Sequence, residues 1–132
     1  MDYCVINGKS YDVLVTAITE TFNILYSENS GRNTGIGSPM TLDPLGTFYG
    51  HKVTFRRNKE NVSDYDELFM QLGRPRYDGI DVKIAHNQET LHYKAYVSQG
   101  ERGLKRIDVR KETIYWDEFT ANFIPMEAQV IP

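Results

Sequence analysis

Apolar and polar residues alternate with a period of two along most of this chain, and the breaks in that period mark its organisation. Tyr3 to Ile6 is a short apolar run that meets Asn7-Gly8, after which Tyr11 to Ile18 resumes as strand-like sequence. Asn-Gly between two such runs favours a tight turn with positive φ at both positions, so an opening β-hairpin is expected. In its second arm Val13, Val15 and Ala17 fall on one face while Leu14, Thr16 and Ile18 fall on the other, which implies cover on both faces. Thr21 to Tyr26 reads as a third extended segment and Thr47 to Arg57 as a fourth, with Phe48, Val53 and Phe55 as core positions.

Between those two segments, Ser27 to Gly46 is dense in Gly, Ser, Asn and Pro. Loops above about 12–15 residues are uncommon in compact domains and are usually functional or disordered. The embedded Ile36, Met40, Leu42 and Leu45 point to a loop that docks on something, a neighbouring subunit for instance, against the plainer reading of a free surface loop.

The period changes once. Ser63 can cap a helix whose first turn carries Asp64, Asp66 and Glu67, acids that suit the positive end of its dipole. Tyr65, Leu68, Phe69 and Leu72 follow as one apolar stripe, and Gly73 with Pro75 supplies a stop. Beyond it, Ile80 to Ala85 and Thr90 to Ser98 flank His86-Asn87-Gln88-Glu89 as a second hairpin, with Leu91, Tyr93, Ala95 and Val97 on one face. Gln99 to Gly103 reads as a further turn between this strand and Leu104 to Val109; Thr113 to Pro125 is the last strand. Its apolar parity switches near Asp117-Glu118, where a bulge is expected.

This order predicts a mainly β fold: an antiparallel β-sandwich or partial barrel flanked by one short helix, about residues 64–72, with a long loop at 27–46, in a single domain over residues 1–132. The size, 15.2 kDa, suits one core, and an aromatic content of 12% strengthens the β assignment. A formal net charge of −3 argues against binding driven by phosphate neutralisation. The single cysteine, Cys4, has no partner for a disulfide and lies in an apolar run where it reads as a small buried hydrophobe. The start of the chain does not read as a secretion signal and no apolar run reaches bilayer length, so a soluble protein of a reducing cytoplasm is expected; the sequon Asn61-Val62-Ser63 then carries little weight.

No residue set stands out as catalytic. Gly35-Ile36-Gly37 lacks the third glycine and the following helix of a dinucleotide fingerprint, and Gly37-Ser38-Pro39 lacks the glycine of a nucleophile elbow. Of His51, His86 and His92, only the last two are placed to approach each other, across the second hairpin. With Asp81 or Glu89 added they fall short of a convincing metal site, so no metal and no cofactor are expected. Asp117 and Glu118 are a possible acid/base pair with nothing to differentiate them. Arg102, Lys105, Arg106, Arg110 and Lys111 form the densest basic stretch; with Tyr93, Tyr96 and Tyr115 they make the best case for a nucleic-acid surface, weighed against basic residues guarding a strand edge.

Several phrases together resemble tail proteins of long-tailed bacteriophages, in particular the N-terminal domain of distal tail proteins and the related tail-tube fold. They are Ile6-Asn7-Gly8-Lys9, Ser30-Gly31-Arg32 followed by Gly37, Leu45-Gly46-Thr47-Phe48-Tyr49, the helix Tyr65 to Leu72, Tyr93-Lys94-Ala95-Tyr96-Val97-Ser98, and Trp116-Asp117-Glu118-Phe119 leading to Phe123-Ile124-Pro125. The resemblance implies a virion structural protein, a distal tail, adaptor or tube subunit, assembled in the host cytoplasm as a hexameric ring. Its partners would be copies of itself and other tail or baseplate proteins, around a channel that genome DNA passes without specific binding. Distal tail proteins commonly carry a further C-terminal domain, some of them sugar-binding; this sequence stops soon after Pro125, so host-sugar recognition is not expected. The subunit interface implied by the 27–46 excursion comprises Ile36, Met40, Leu42, Leu45 and Arg32. The competing readings are a small nucleic-acid or protein-binding β module using the tyrosine-rich sheet and the 102–111 basic stretch, and an enzyme using Asp117, Glu118 and a histidine.

Overall fold

The computed structural model describes residues 4–32, 37, 39–58 and 61–132. In chain order the elements are β1 (Cys4–Ile6), β2 (Val13–Tyr26), β3 (Gly31–Arg32), β4 (Met40–Thr41), β5 (Pro44–Arg57), α1 (Val62–Leu72), β6 (Ile80–His86), β7 (Glu89–Asp108) and β8 (Thr113–Pro125). Six strands form one antiparallel sheet in the order β1-β6-β7-β8-β5-β2, and β3 with β4 makes a separate two-stranded ribbon. The fold is mainly β with one short helix, as the patterning predicts, and the sheet is a partial barrel whose outer strands do not pair.

Asn7 and Gly8 do take positive φ, 51° and 75°, and Ile6 bridges back to Lys9. The expected opening hairpin nevertheless does not form: β1 pairs with β6, and β2 pairs with β5 at the opposite border. The turn chemistry is local, whereas strand partners are chosen by which apolar faces can share a core. Because so few residues separate Ile6 from Val13, this topology obliges the sheet to curl until its two borders approach each other.

The curled face holds the core, with Val53, Phe55, Val82, Ile84, Ala95, Phe119 and Phe123 all buried. Helix α1 closes one end of it through Tyr65, Leu68 and Leu72. Phe119 is the hub: the rings of Phe55, Tyr65 and Phe69 lie 4.9, 5.2 and 5.3 Å from it. The helix begins slightly earlier than expected because Asn61, not Ser63, caps it, accepting the Asp64 amide at 3.1 Å. The acids of its first turns are tethers: Asp64 accepts the backbone amide of Asp12, Glu67 pairs with Lys9, and Asp66 pairs with Arg102.

Other departures have a common cause, extra residues within paired strands. Thr16 is bulged out of β2, so the inward set is Val15, then Ile18 and Glu20, opposite Phe55, Val53 and His51; the expected parity fails beyond that point. Phe48 leaves the core for a different reason: along the uninterrupted register of β5 it has the opposite parity to Val53 and Phe55, and it is half-buried. Gln99 to Gly103 is not a turn; β7 runs on through it with bulges against β8, and the chain reverses at residues 109–112. The bulge expected near Asp117-Glu118 is present, since Arg102 pairs with Phe119 and Leu104 with Trp116.

Candidate subunit interface

Strand β8 covers β5 only from His51 to Phe55. The remainder of the β2–β5 pair, from Thr21–Gly50 outward to Tyr26–Pro44, projects from the sheet as a ribbon. The long loop is accordingly shorter than expected: β2 runs unbroken through Tyr26, β5 starts at Pro44, and the ribbon β3–β4 carries on the excursion. Ser27 and Ser30 stitch its base, through hydrogen bonds from Ser27 Oγ to Asp43 and from the Asp43 amide to Ser30 Oγ.

The open border of this ribbon is zipped by the chain's own end. The Thr47 amide donates to Val130 O at 2.9 Å and the Gln129 amide to Thr47 O at 3.0 Å. The Gln129 side chain brackets the Tyr49 peptide, accepting its N–H and donating to its carbonyl, both at 3.0 Å. Close approach here requires glycine at position 46, where φ is +156° and a Cβ would stand 2.6 Å from the Cβ of Ala128.

The β5 side of the ribbon is partly covered, but its β2 arm and its outer end expose apolar side chains. Phe22 is 64% exposed, Leu42 57% and Leu45 55%, and Ile24, Leu25, Tyr26, Met40, Val130 and Ile131 are exposed with them. An isolated two-stranded ribbon is marginal in water, and each large apolar side chain left in solvent forgoes about 1.5–3 kcal/mol of burial. A concentration of exposed apolar side chains on one projection makes it the candidate interaction site. Of the residues singled out from the sequence, Arg32 lies in β3, Met40 in β4, Leu42 between β4 and β5, and Leu45 is the bulged residue of β5, all on this projection. Ile36 lies outside the described residues, as do Gly35 and Ser38.

A second projection, the β7–β8 hairpin beyond Arg102, exposes Leu104, Ile107, Val109 and Ile114. Sequence reading missed it because Gln99-Gly100 and Gly103 resemble a turn; the apolar residues persisting through Leu104, Ile107 and Val109 were the available signal.

The histidines are arranged differently from expectation. His86 and His92 stand on opposite faces, since His86 pairs with Glu89 and His92 with Lys83. Instead Glu20 gathers His51 and His86: its Oε2 accepts from His51 Nε2 at 2.8 Å and from His86 Nδ1 at 2.7 Å. His51 Nδ1 lies 2.6 Å from the Tyr93 hydroxyl. Burial lowers the proton affinity of His51, with Glu20 opposing, and burial raises the Tyr93 hydroxyl, so the fitting state is a neutral imidazole that donates to Glu20 and accepts from Tyr93. This cluster joins β2 to β6 across the curl. Among the described residues no set of three or more side chains is arranged to hold a metal ion, and no helix is long and apolar enough to cross a membrane. Cys4 is packed against the core and burial pushes its thiol up to about 12, as suits a packing residue.

The basic stretch is not a uniform surface. Arg102 is clamped by Asp66 at 3.2 Å and stacks on Phe69 and Trp116 at 4.0 and 4.2 Å, and Tyr93 is buried. Compared with protein-family models, with curated proteins and with solved structures, the chain has no match in any of the three.

Proposed function

We propose that this chain is a structural subunit of a long-tailed bacteriophage tail, a distal tail, adaptor or tube component that assembles with copies of itself into a ring. The observation that carries the reading is the ribbon of Thr21–Tyr26 paired with Pro44–Gly50, on which Phe22, Ile24, Leu25, Tyr26 and Leu45 are exposed in the single chain, with Met40 and Leu42 beyond its end. A ring offers each subunit's projection a receptor on its neighbour, and a heterologous contact repeated around a closed axis satisfies every copy equally. The phrases that resemble tail proteins fall on this architecture: Leu45 to Tyr49 forms the ribbon, and Trp116 to Phe119 forms the bulge under the helix. In this reading Arg32, Met40, Leu42 and Leu45 contact the next subunit or ring, and the genome passes without specific binding. The acidic total is consistent with that passage, because like charge discourages adhesion.

Electron microscopy of the purified protein, alone and with co-expressed tail proteins, tests the assignment. Ring-shaped particles are expected, and the double substitution Leu42→Asp with Leu45→Asp should abolish them while the circular dichroism of the sheet is retained. Rings that form equally well from the double variant would remove the ribbon from the interface.

A further inference from the structure

The border of β5 that faces β8 is divided into three parts. Its middle, His51 to Phe55, pairs with β8. Its outer end is occupied by Gln129 and Val130. Its inner end, Arg56 and Arg57, has no strand beside it on the β8 side, because β8 diverges there to follow β7 from Trp116 to Thr113. The fork so formed is a groove of about 290 Å³ lined by Arg56, Arg57, Lys105, Arg106, Tyr115, Trp116 and Asp117, whose carboxylate accepts the Glu118 amide.

Four cations therefore converge on one groove in a chain whose net charge is −3. Among the described residues no carboxylate forms an ion pair with any of them. Arg106 and Arg57 instead lie over the ring of Tyr115, at 4.4 and 5.5 Å. Such mutual repulsion is tolerated in water but is relieved by an anionic occupant. The aromatic rings do not suit nucleic-acid bases: Tyr115 carries guanidinium groups over its ring, and Arg102 lies 4.2 Å from Trp116, whereas single-strand binding relies on free aromatic faces. What the fork does offer is unpaired strand border on β5 and on β8, flanked by forked donors matched to carboxylates.

We propose that this fork is a docking slot for an extended, carboxylate-rich segment of a partner protein, added as a strand beside Arg56 and Arg57 with its acidic side chains on Arg56, Lys105 and Arg106. The chain's own Gln129-Val130 segment, laid along the outer end of the same border, shows that β5 accepts a short extended segment there. The slot is separate from the apolar ribbon and stands whether or not the chain forms a ring.

The test uses the whole protein and a fluorescein-labelled octapeptide of alternating Glu and Thr, read by fluorescence anisotropy. Saturable binding is expected, weakened on the order of tenfold or more by Arg56→Glu with Arg106→Glu, exposed positions whose change should leave the melting temperature in place. The same peptide N-methylated at alternate residues, which removes ladder hydrogen bonds but no charge, should bind about tenfold more weakly. Three results would overturn the proposal: no saturable binding, which would make these cations mere guards of an open edge; equal binding of the methylated peptide, which would reduce it to ion exchange; and tighter binding of an oligothymidylate of equal length, which would make the groove a nucleic-acid site.

Discussion

His51 and Glu20 are direct partners across the β2–β5 ladder, and their side chains meet on the curled face with Nε2 2.8 Å from Oε2. That contact, extended to Tyr93 and His86, is a polar joint between strands from opposite sides of the sheet, and it makes stability depend on pH. Burial depresses the proton affinity of His51 below its ordinary value, so in acid the unfolded chain binds a proton that the folded one resists, and stability falls as pH drops below about 6.5. Burial alone would raise the Glu20 carboxyl, but hydrogen bonds from His86 and His51 bring it below its ordinary value; that stabilisation is present at neutral pH and fades as pH falls below about 4.3. Thermal melts between pH 8 and pH 4 should show a progressive loss on the acid side. His51→Gln should cost about 1–3 kcal/mol at pH 8 and flatten the upper part of this decline. A wild-type melting temperature unchanged down to pH 5 would contradict the assignment.

Phe119 binds helix to sheet. Truncation to alanine removes the ring against which Phe55, Tyr65 and Phe69 pack, in a site where it is 1% exposed. The expected loss is about 3–5 kcal/mol by chemical denaturation. The exposed Tyr77 lies outside this cluster, and Tyr77→Ala should change stability by less than about 0.5 kcal/mol.

Much of this was legible from residues alone, and the failures are physical. The helix stripe, the second hairpin, the inward set Phe119, Ala121 and Phe123, and the bulge at Asp117-Glu118 all follow from short-range periodicity, which the sheet keeps. The partner of β1 does not, because Asn7-Gly8 dictates a turn but not which strand lies beside Ile6. The Glu20–His51 joint was hidden for a related reason: the extra residue at Thr16 shifts the face on which Glu20 lies, and nothing local announces it. Met40, Leu42 and Leu45 lie on the projecting arm because apolar residues among turn formers have no core of their own to enter; Arg32 accompanies them in β3, and Ile36 lies outside the described residues.

The C-terminal strap depends on Gly46. An alanine there would drive its Cβ into Ala128 and against Val130 O, 2.6 and 3.0 Å away, at a φ that side chains rarely adopt. Gly46→Ala should detach residues 128–130 while sparing the core, read as faster amide hydrogen exchange at Thr47 with unchanged protection at Val53 and Phe55. Equal acceleration at all three positions would mean that the strap and the core unfold together.

In the proposed ring the projecting apolar ribbon of each protomer is covered by a sibling chain. Sedimentation velocity over a rising concentration series measures this most directly. Conversion to one closed species several times the 15.2 kDa protomer mass is predicted; a lone protomer at the highest concentration attainable would contradict it.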